Sequence, residues 1–231
     1  MSITDDLTIV FAHGAWADGL SWAKVINRLR AQGVVSISAA LPLTTRPDDL
    51  DAINRAVERA PGDVVVVGHA YAGAVVGGAS SDKVKALVYI TALAPDAGET
   101  VADVFYRAKP HPKAPKLAPD AYGLIYLPDE AFADAFAPNA TADEQDVLRA
   151  VQRPISPACI TVKVERPRWK DVPSWFLLAE QDRMILAETQ RFMADRMKAT
   201  VRSHSVDHTP SVTAPGPVVD IIMEAVTAVR G

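Results

Sequence analysis

Short runs rich in β-branched residues alternate along this chain with longer segments in which apolar residues recur at helical spacing. This rhythm is typical of β-α-β crossover units, which build a parallel sheet. The runs predict strands at residues 7–12, 34–39, 64–67, 86–91, 173–179 and 200–206. The periodic segments predict helices at residues 21–32, 47–60, 70–79, 186–197 and 217–229. The sequence therefore predicts the α/β class, with a doubly wound, mostly parallel sheet between two layers of helices.

Residues 95–168 do not follow this rhythm. Prolines are dense there, and acidic and aromatic residues replace the valine and isoleucine runs. Two short amphipathic helices are predicted, at residues 129–136 and 142–151, which are too few to form a core of their own. We interpret this insertion as a small, mobile helical lid over a core made of residues 1–94 and 169–231. A loop-rich packing element without a role in binding is the alternative.

Composition narrows the class of protein without indicating a reaction. Of the 231 residues, 49% are hydrophobic and 23% are charged, which is typical of a globular domain and excludes a disordered chain. The net charge of -4 provides no basic surface for a phosphate backbone, so we expect no nucleic-acid partner. The apolar runs are far shorter than the roughly 20 residues of a membrane span, so we expect no membrane association either.

Cysteine usage and the start of the chain bear on the compartment. Cys159 is the single cysteine and cannot close an intrachain disulfide. A secretory signal requires basic residues before its apolar run, and none precede the first apolar run of this chain. We therefore expect a cytoplasmic protein. For the oligomeric state, we expect either a monomer or a homodimer.

The stretch from Val64 to Gly73, VVVVGHAYAG, predicts a strand, a sharp turn and the start of a helix. It is similar to the nucleophile elbow of the α/β-hydrolase superfamily, G-x-S-x-G, in which a serine stands on a strained turn. Gly68 matches the first glycine, and Ala72 replaces the second. Ala70 occupies the position of the serine, and its methyl group cannot attack a carbonyl carbon.

A second motif, His13-Gly14-Ala15-Trp16, directly follows the first predicted strand. It resembles the oxyanion loop of the same superfamily. The resemblance implies that the backbone N–H groups of Ala15 and Tyr71 form an oxyanion hole, where preorganised donors stabilise developing negative charge. We expect His13 to brace this loop through hydrogen bonds.

The acid and the base of a triad are expected after the nucleophile in chain order, as in that superfamily. Asp182 follows the strand predicted at 173–179 and is our candidate for the acid, with Glu180 as the alternative. His208 follows the last predicted strand and is our candidate for the base. His204 lies within the alternating pattern of the strand predicted at 200–206, so we expect its side chain to be packed or solvent-facing.

The resemblance covers essentially the whole chain and is closest to the small bacterial and plant members that group esterases with hydroxynitrile lyases. The plant lyases carry Thr in the oxyanion loop, Glu before the serine, Cys after it and Lys after the catalytic histidine. The residues here are Gly14, His69, Tyr71 and Thr209. Gly14 and His69 match the esterase branch, which implies ester hydrolysis rather than cyanohydrin cleavage.

The alanine at position 70 leaves two explanations open. It is an engineered knockout of a carboxylic-ester hydrolase with a Ser-His-Asp mechanism, or it is natural. A natural alanine leaves either a cofactor-free lyase or isomerase that uses the His208-Asp182 pair as base, or a small-molecule binding module. No organic cofactor is implied, and the histidines and acidic residues lack a metal-ligand spacing such as H-E-x-x-H.

The expected partner is a small molecule, an apolar or aromatic ester. Aromatic and histidine side chains near the motifs and in the insertion are candidates for the pocket wall. They are His13, Trp16, His69, Phe105, Tyr106 and Tyr126.

Overall fold

The computed structural model describes residues 7–231. Residues 1–6, on which the expectation about a secretory signal partly rests, lie outside the described residues. The strands are β1 Leu7–Ala12, β2 Val35–Ala39, β3 Asp63–His69, β4 Val84–Ile90, β5 Ser174–Ala179 and β6 Thr200–His204. The helices are α1 Ala23–Ala31, α2 Arg46–Arg59, α3 Ala72–Val76, α4 Val101–Phe105, α5 Asp129–Ala131, α6 Ala142–Val151, α7 Ala187–Met197, α8 Pro210–Thr213 and α9 Pro215–Arg230.

The strands form one six-stranded sheet in the order β2-β1-β3-β4-β5-β6, and every pairing is parallel. In the centre of the sheet, Val10 of β1 lies beside Val66 of β3. The chain moves from β1 to β2 on one side and then returns to place β3 on the other side of β1. The doubly wound parallel sheet predicted by the hydrophobic pattern is therefore confirmed.

Helices cover both faces of the sheet, which explains why residues 64–67 of the central strand β3 are apolar at four consecutive positions. In β3, Val65 and Val67 face the layer that contains α1 and α9, whereas Val64 and Val66 face the opposite layer. All four side chains are fully buried. Alternate residues of one strand thus contribute to two separate hydrophobic cores.

Helix α3 is shorter than the predicted 70–79 and spans Ala72–Val76. It starts late because Ala70 has a φ of 49°, a left-handed conformation that cannot belong to a right-handed helix. Its last residue is Val76, and Gly77 follows as the C-cap, because glycine has a low helix propensity. The predicted helix at 21–32 likewise begins with a 3-10 turn at Gly19–Trp22, capped by the Asp18 carboxylate.

The insertion packs its apolar side chains into the same core as α2, α3 and α7 rather than forming a core of its own. Phe132, Phe136 and Cys159 are fully buried there, and the first two belong to a π-helical turn, Phe132–Phe136, that continues α5. Helix α4, within the insertion, has no counterpart in the sequence prediction. Residues 107–124, here called the surface strap, form no helix or strand, and none of them is fully buried.

Glycine at position 73 allows α3 to lie directly against the chain that follows β4. A Cβ atom at Gly73 would lie 2.3 Å from the Leu93 carbonyl oxygen and 2.8 Å from the Ala92 Cβ. We predict that Gly73→Ala lowers the free energy of unfolding by about 1–3 kcal/mol, because backbone atoms have to move. Chemical denaturation measures the change.

Gly216→Ala is the matched control. Gly216 lies in α9, and a Cβ there would meet only the Arg28 guanidinium, at 3.6 Å, which is an ordinary contact. This variant should keep or raise the stability, since alanine favours a helix by up to about 1 kcal/mol over glycine. Equal stability losses in the two variants would contradict the steric explanation.

Candidate active site

Four loops meet at the carboxyl ends of the parallel strands, beside the topological switch point between β1 and β3. Ala15 follows β1, Ala70 follows β3, Asp182 follows β5 and His208 follows β6. In open α/β sheets this crevice is where ligands bind. The topology alone therefore brings these candidate residues to one edge of the sheet.

Ala70 stands on a tight turn between β3 and α3. Its carbonyl oxygen accepts hydrogen bonds from the N–H groups of Leu93, at 2.9 Å, and Gly73, at 3.1 Å. These contacts hold a φ of 49° that a non-glycine residue adopts only under constraint. Gly68 permits the close approach, since a Cβ there would lie 2.9 Å from the Ala72 carbonyl oxygen. Residue 70 consequently forms part of the wall of a cavity.

His208 and Asp182 form a buried pair. The His208 Nδ1 lies 2.8 Å from the Asp182 Oδ2, and both residues are almost fully excluded from solvent. The carboxylate also accepts hydrogen bonds from the N–H groups of Met184 and Ile185 and from the Gln190 amide. Since a carboxylate only accepts, His208 donates from Nδ1, and its Nε2 is left to accept a proton.

The structure does not bring the alternative acid and base together. Glu180 accepts a hydrogen bond from the Ser203 hydroxyl at 2.8 Å on the surface of the protein. His204 ends β6, is half-buried, and does not line the cavity.

The candidate oxyanion hole is formed by backbone groups. Ala15 and Tyr71 both line the cavity, and neither N–H group donates to a protein acceptor within residues 7–231. His13 supports the first of them: its Nδ1 donates to the Gly14 carbonyl at 3.0 Å, and its Nε2 accepts from the Leu41 N–H at 3.1 Å. Burial lowers the pKa of His13, which keeps the imidazole neutral in this bracing position.

His69 lies behind His208. Its Nε2 donates to the His208 carbonyl oxygen at 2.7 Å, and the Thr91 hydroxyl donates to the same oxygen at 3.0 Å. Burial, and secondarily the neighbouring His208, lowers the pKa of His69 to about 3. His69 is therefore a neutral support for the backbone of His208.

The cavity above Ala70 is lined mainly by apolar side chains from the core and the insertion. Its wall is formed by Ala15, Trp16, Ala70, Tyr71, Leu93, Val101, Ala102, Phe105, Tyr106, Leu117, Ile125, Ile155, Ile160, Met184, Ile185 and His208. No Asp, Glu, Lys or Arg of the described chain is among these residues. The Trp16 indole N–H donates to the Ile125 carbonyl oxygen at 2.9 Å, so its hydrogen-bonding capacity is already used within the protein.

Three of the residues expected at the pocket wall lie elsewhere. His13 and His69 are buried beneath the site, each held by the backbone hydrogen bonds described above. Tyr126 is 48% exposed and points to solvent, because its neighbour Ile125 forms a β-bridge with Ile155 and faces the cavity. Successive residues of extended chain point to opposite sides.

Sequence reasoning did not identify several residues that position the site. Asp207 is buried and accepts hydrogen bonds from the N–H groups of Asn139 and Thr209 and from the Thr213 hydroxyl. The Thr209 hydroxyl in turn donates to the Phe136 carbonyl of the insertion. The segment that carries His208 is thus attached to the insertion on both sides of the histidine. No local sequence pattern marks these contacts, since the partners are about 70 residues apart.

Residues 7–231 hold neither of two other kinds of site. No cluster of three or more His, Cys, Asp or Glu side chains there has an arrangement that could bind a metal ion. None of the helices in this part of the chain combines the length and hydropathy needed to span a bilayer.

The sequence profile described as the alpha/beta hydrolase family matches residues 9–221. The chain belongs to this family, as the elbow and the oxyanion-loop motif indicate. A search of curated proteins finds no match.

Solved structures that share the fold include esterases and hydrolases. A polyneuridine aldehyde esterase is 16% identical, with a TM-score of 0.79 over 96% of this chain and 99% of that chain. A methylesterase from Arabidopsis is 19% identical, with a TM-score of 0.76 over 96% and 99% of the two chains. A pyrethroid hydrolase, solved as a serine-to-alanine variant, is 21% identical, with a TM-score of 0.80 over 96% and 98%. Identities this low show the shared fold alone.

The lowered pKa of His69 predicts acid sensitivity. In the unfolded chain a histidine protonates near pH 6.5, whereas the folded protein resists protonation of His69 until about pH 3. The stability that this neutral side chain contributes is therefore complete above pH 6.5 and is lost progressively as the pH falls toward 3. Between pH 7 and pH 5, His69 alone should cost about 2 kcal/mol of folding free energy.

His69→Gln tests this prediction, since a glutamine amide keeps a donor for the His208 carbonyl but does not titrate. Urea unfolding at pH 7 and pH 5 should show a smaller loss of stability for this variant than for the parent. His111→Gln, in the surface strap, is the control and should retain the parent's acid sensitivity. Identical losses in all three proteins would show that His69 does not govern the effect.

Proposed function

We propose that this protein has the catalytic site of a carboxylic-ester hydrolase whose nucleophile position is occupied by Ala70. The observation that carries the proposal is the buried His208-Asp182 pair, which opens onto the same cavity as the strained turn at residue 70. A nucleophile on this turn and a histidine oriented by a carboxylate are the parts that acyl transfer requires.

With serine at position 70, the geometry supports the following reaction. The His208 Nε2 takes the hydroxyl proton while the serine oxygen attacks the ester carbonyl carbon. The N–H groups of Ala15 and Tyr71 stabilise the oxyanion of the tetrahedral intermediate. His208 then returns the proton to the leaving alcohol, and water hydrolyses the acyl-enzyme by the same steps. Asp182 holds the histidine tautomer and stabilises the imidazolium.

Ala70 itself favours a second candidate function. A methyl group cannot form an acyl-enzyme, so the chain as it stands has either lost the reaction, by engineering or naturally, or uses the cavity differently. The intact cavity and the oriented His208 suit a binding module or a cofactor-free lyase or isomerase. Removing a triad serine leaves a residual rate of roughly 10³–10⁴ over water, so weak hydrolysis does not distinguish these functions.

The lining of the cavity supports an apolar or aromatic ester without charged groups as the substrate. A charged group would lose its hydration there without an ionic partner, which is costly. A neighbouring cavity beneath the surface strap shares Phe105, Tyr106, Leu117 and Met184 with the first. This second space can accept the larger half of an ester whose carbonyl lies over residue 70. The proposed steps need no cofactor.

We predict that Ala70→Ser creates hydrolysis of small activated esters such as nitrophenyl acetate. The rate should exceed that of the parent chain by about 10³-fold or more, since the nucleophile and the base act as a unit. A fluorophosphonate should label the variant and not the parent. A folded Ala70→Ser protein that remains unlabelled and no faster than the parent would contradict the esterase proposal and favour the binding module.

In the Ala70→Ser background, His208→Ala should remove nearly all of the gained activity. His204→Ala is the matched control, because His204 is also a histidine near the end of β6 but does not line the cavity. It should retain nearly all of the gained activity. Similar losses in both variants would mean that His208 is not the general base.

The surface strap is the part of the insertion that we expect to open for ligand entry. Few backbone hydrogen bonds join residues 107–124 to the rest of the described chain, whereas Phe132 and Phe136 are fully buried. Hydrogen exchange should show the strap opening at a lower free energy than residues 64–67, and slowing when an apolar ester analogue binds. Protection of the opposite end of the sheet alone would contradict both the lid and the site.

A further inference from the structure

Asp49 is a fully buried carboxylate that the proposed reaction does not use. It lies in the first turn of α2 and accepts two close hydrogen bonds, from the Leu43 N–H at 2.8 Å and from the Tyr71 hydroxyl at 2.7 Å. The Cys159 thiol is a weaker third donor, at 3.7 Å. Among residues 7–231, none of the hydrogen-bond partners of Asp49 is a cation.

A buried carboxylate with no counter-ion is costly, so its position needs an explanation. Burial raises the pKa of Asp49, and the hydrogen bonds from Tyr71, Leu43 and Cys159 act in the opposite direction. Burial and the nearby Asp49 raise the pKa of the Tyr71 phenol, and burial raises that of Cys159 to about 12. Both side chains therefore stay protonated and remain donors to Asp49.

Tyr71 connects this buried cluster to the reaction site. Its backbone N–H is one of the two donors of the proposed oxyanion hole, and the residue directly follows the strained turn at Ala70. Tyr71 caps the short helix α3 without any side-chain capping bond. Its phenol is instead anchored to Asp49, on a different helix. The position of the N–H thus depends on a contact outside the elbow.

The second donor of the proposed oxyanion hole, the Ala15 N–H, is supported by the loop that follows β2, and this loop also contacts Asp49. The Leu41 N–H donates to His13, which donates to the Gly14 carbonyl beside Ala15. The Leu43 N–H donates to Asp49. The loop that follows β2 therefore braces one donor through an imidazole and the other through a carboxylate and a phenol.

We propose that Asp49 is a positioning residue for ester hydrolysis: by holding the Tyr71 hydroxyl, it sets the direction of the Tyr71 N–H in the oxyanion hole. This inference rests on the proposed function. Asp49 does not line the cavity, so its effect on catalysis acts through Tyr71. It should therefore influence the transition state, where the oxyanion forms, more than the binding of the ester.

The test compares Asp49→Ala, Asp49→Asn and Tyr71→Phe in the Ala70→Ser protein. We expect Asp49→Ala and Tyr71→Phe to lower kcat by about 10- to 100-fold, the range for a displaced oxyanion donor. KM should change by less than about threefold, because ground-state binding is preserved. Asp49→Asn, which keeps a polar partner for the phenol, should retain more of kcat than Asp49→Ala. The double variant of Asp49→Ala and Tyr71→Phe should be no slower than the worse single variant.

Tyr89→Phe is the matched control. Tyr89 is also fully buried, but its hydroxyl has no hydrogen-bond partner within the described residues, and the ring stacks on Phe176. Its kcat and KM should equal those of the Ala70→Ser parent. Thermal unfolding of each variant identifies any that fail to fold. If Asp49→Ala does not fold, Asp49→Asn and Tyr71→Phe carry the comparison.

The outcomes separate this inference from the proposed function. An active Ala70→Ser protein whose kcat is unchanged by Asp49→Ala and Tyr71→Phe, or whose loss appears only in KM, overturns the positioning role alone. An inactive Ala70→Ser protein contradicts the proposed function. In that case amide exchange at residue 71 in the chain with Ala70 tests the inference. Asp49→Ala, or Tyr71→Phe if Asp49→Ala does not fold, must accelerate this exchange relative to Tyr89→Phe, and unchanged exchange overturns the inference.

Discussion

The left-handed turn at Ala70 is the constraint on which the rest of the site depends. Such a conformation costs a non-glycine residue about 1–3 kcal/mol, and it persists because the surrounding backbone holds it. Leu93 and Gly73 donate to the Ala70 carbonyl, and Gly68 and Gly73 leave room for the close packing of β3, α3 and the chain after β4. Alanine keeps this backbone geometry while removing the one oxygen atom that a serine would supply.

The remaining polar groups form a supported arrangement around that turn. Asp182 accepts from His208, and His69 and Thr91 hold the backbone of His208 from behind. Burial keeps His69 neutral, so that it acts as a fixed hydrogen-bonding support. His208, in contrast, faces the cavity, and it is the histidine to which we assign proton transfer in the proposed reaction. Preorganisation of this kind reduces the reorganisation that a reaction in water requires.

The insertion contributes to the site in two different ways. The π-helical turn at Phe132–Phe136 is largely buried, and the centroid of its Phe136 ring lies 5.4 Å from that of the His208 ring, so this part packs against the segment that carries His208. The surface strap is exposed and covers the space next to the cavity. One insertion thus combines a buried wall beside His208 with an outer boundary that makes few backbone hydrogen bonds to the rest of the described chain.

The amino-acid sequence by itself determined the six strands, and its resemblance to the α/β-hydrolases supplied the candidates for elbow, acid and base, with Ala70 at the position of the serine. The strands depend on hydrophobic periodicity, and the elbow and oxyanion-loop motifs on short runs of residues, so both are visible over a few positions of the chain. Only the tertiary structure placed Asp182 rather than Glu180 against His208, directed Tyr126 to solvent, and joined Asp49 to Tyr71. Those outcomes depend on which side chains meet across distant segments. A local pattern does not contain that information, because the direction of a side chain and its burial are set by packing against residues far away in the chain.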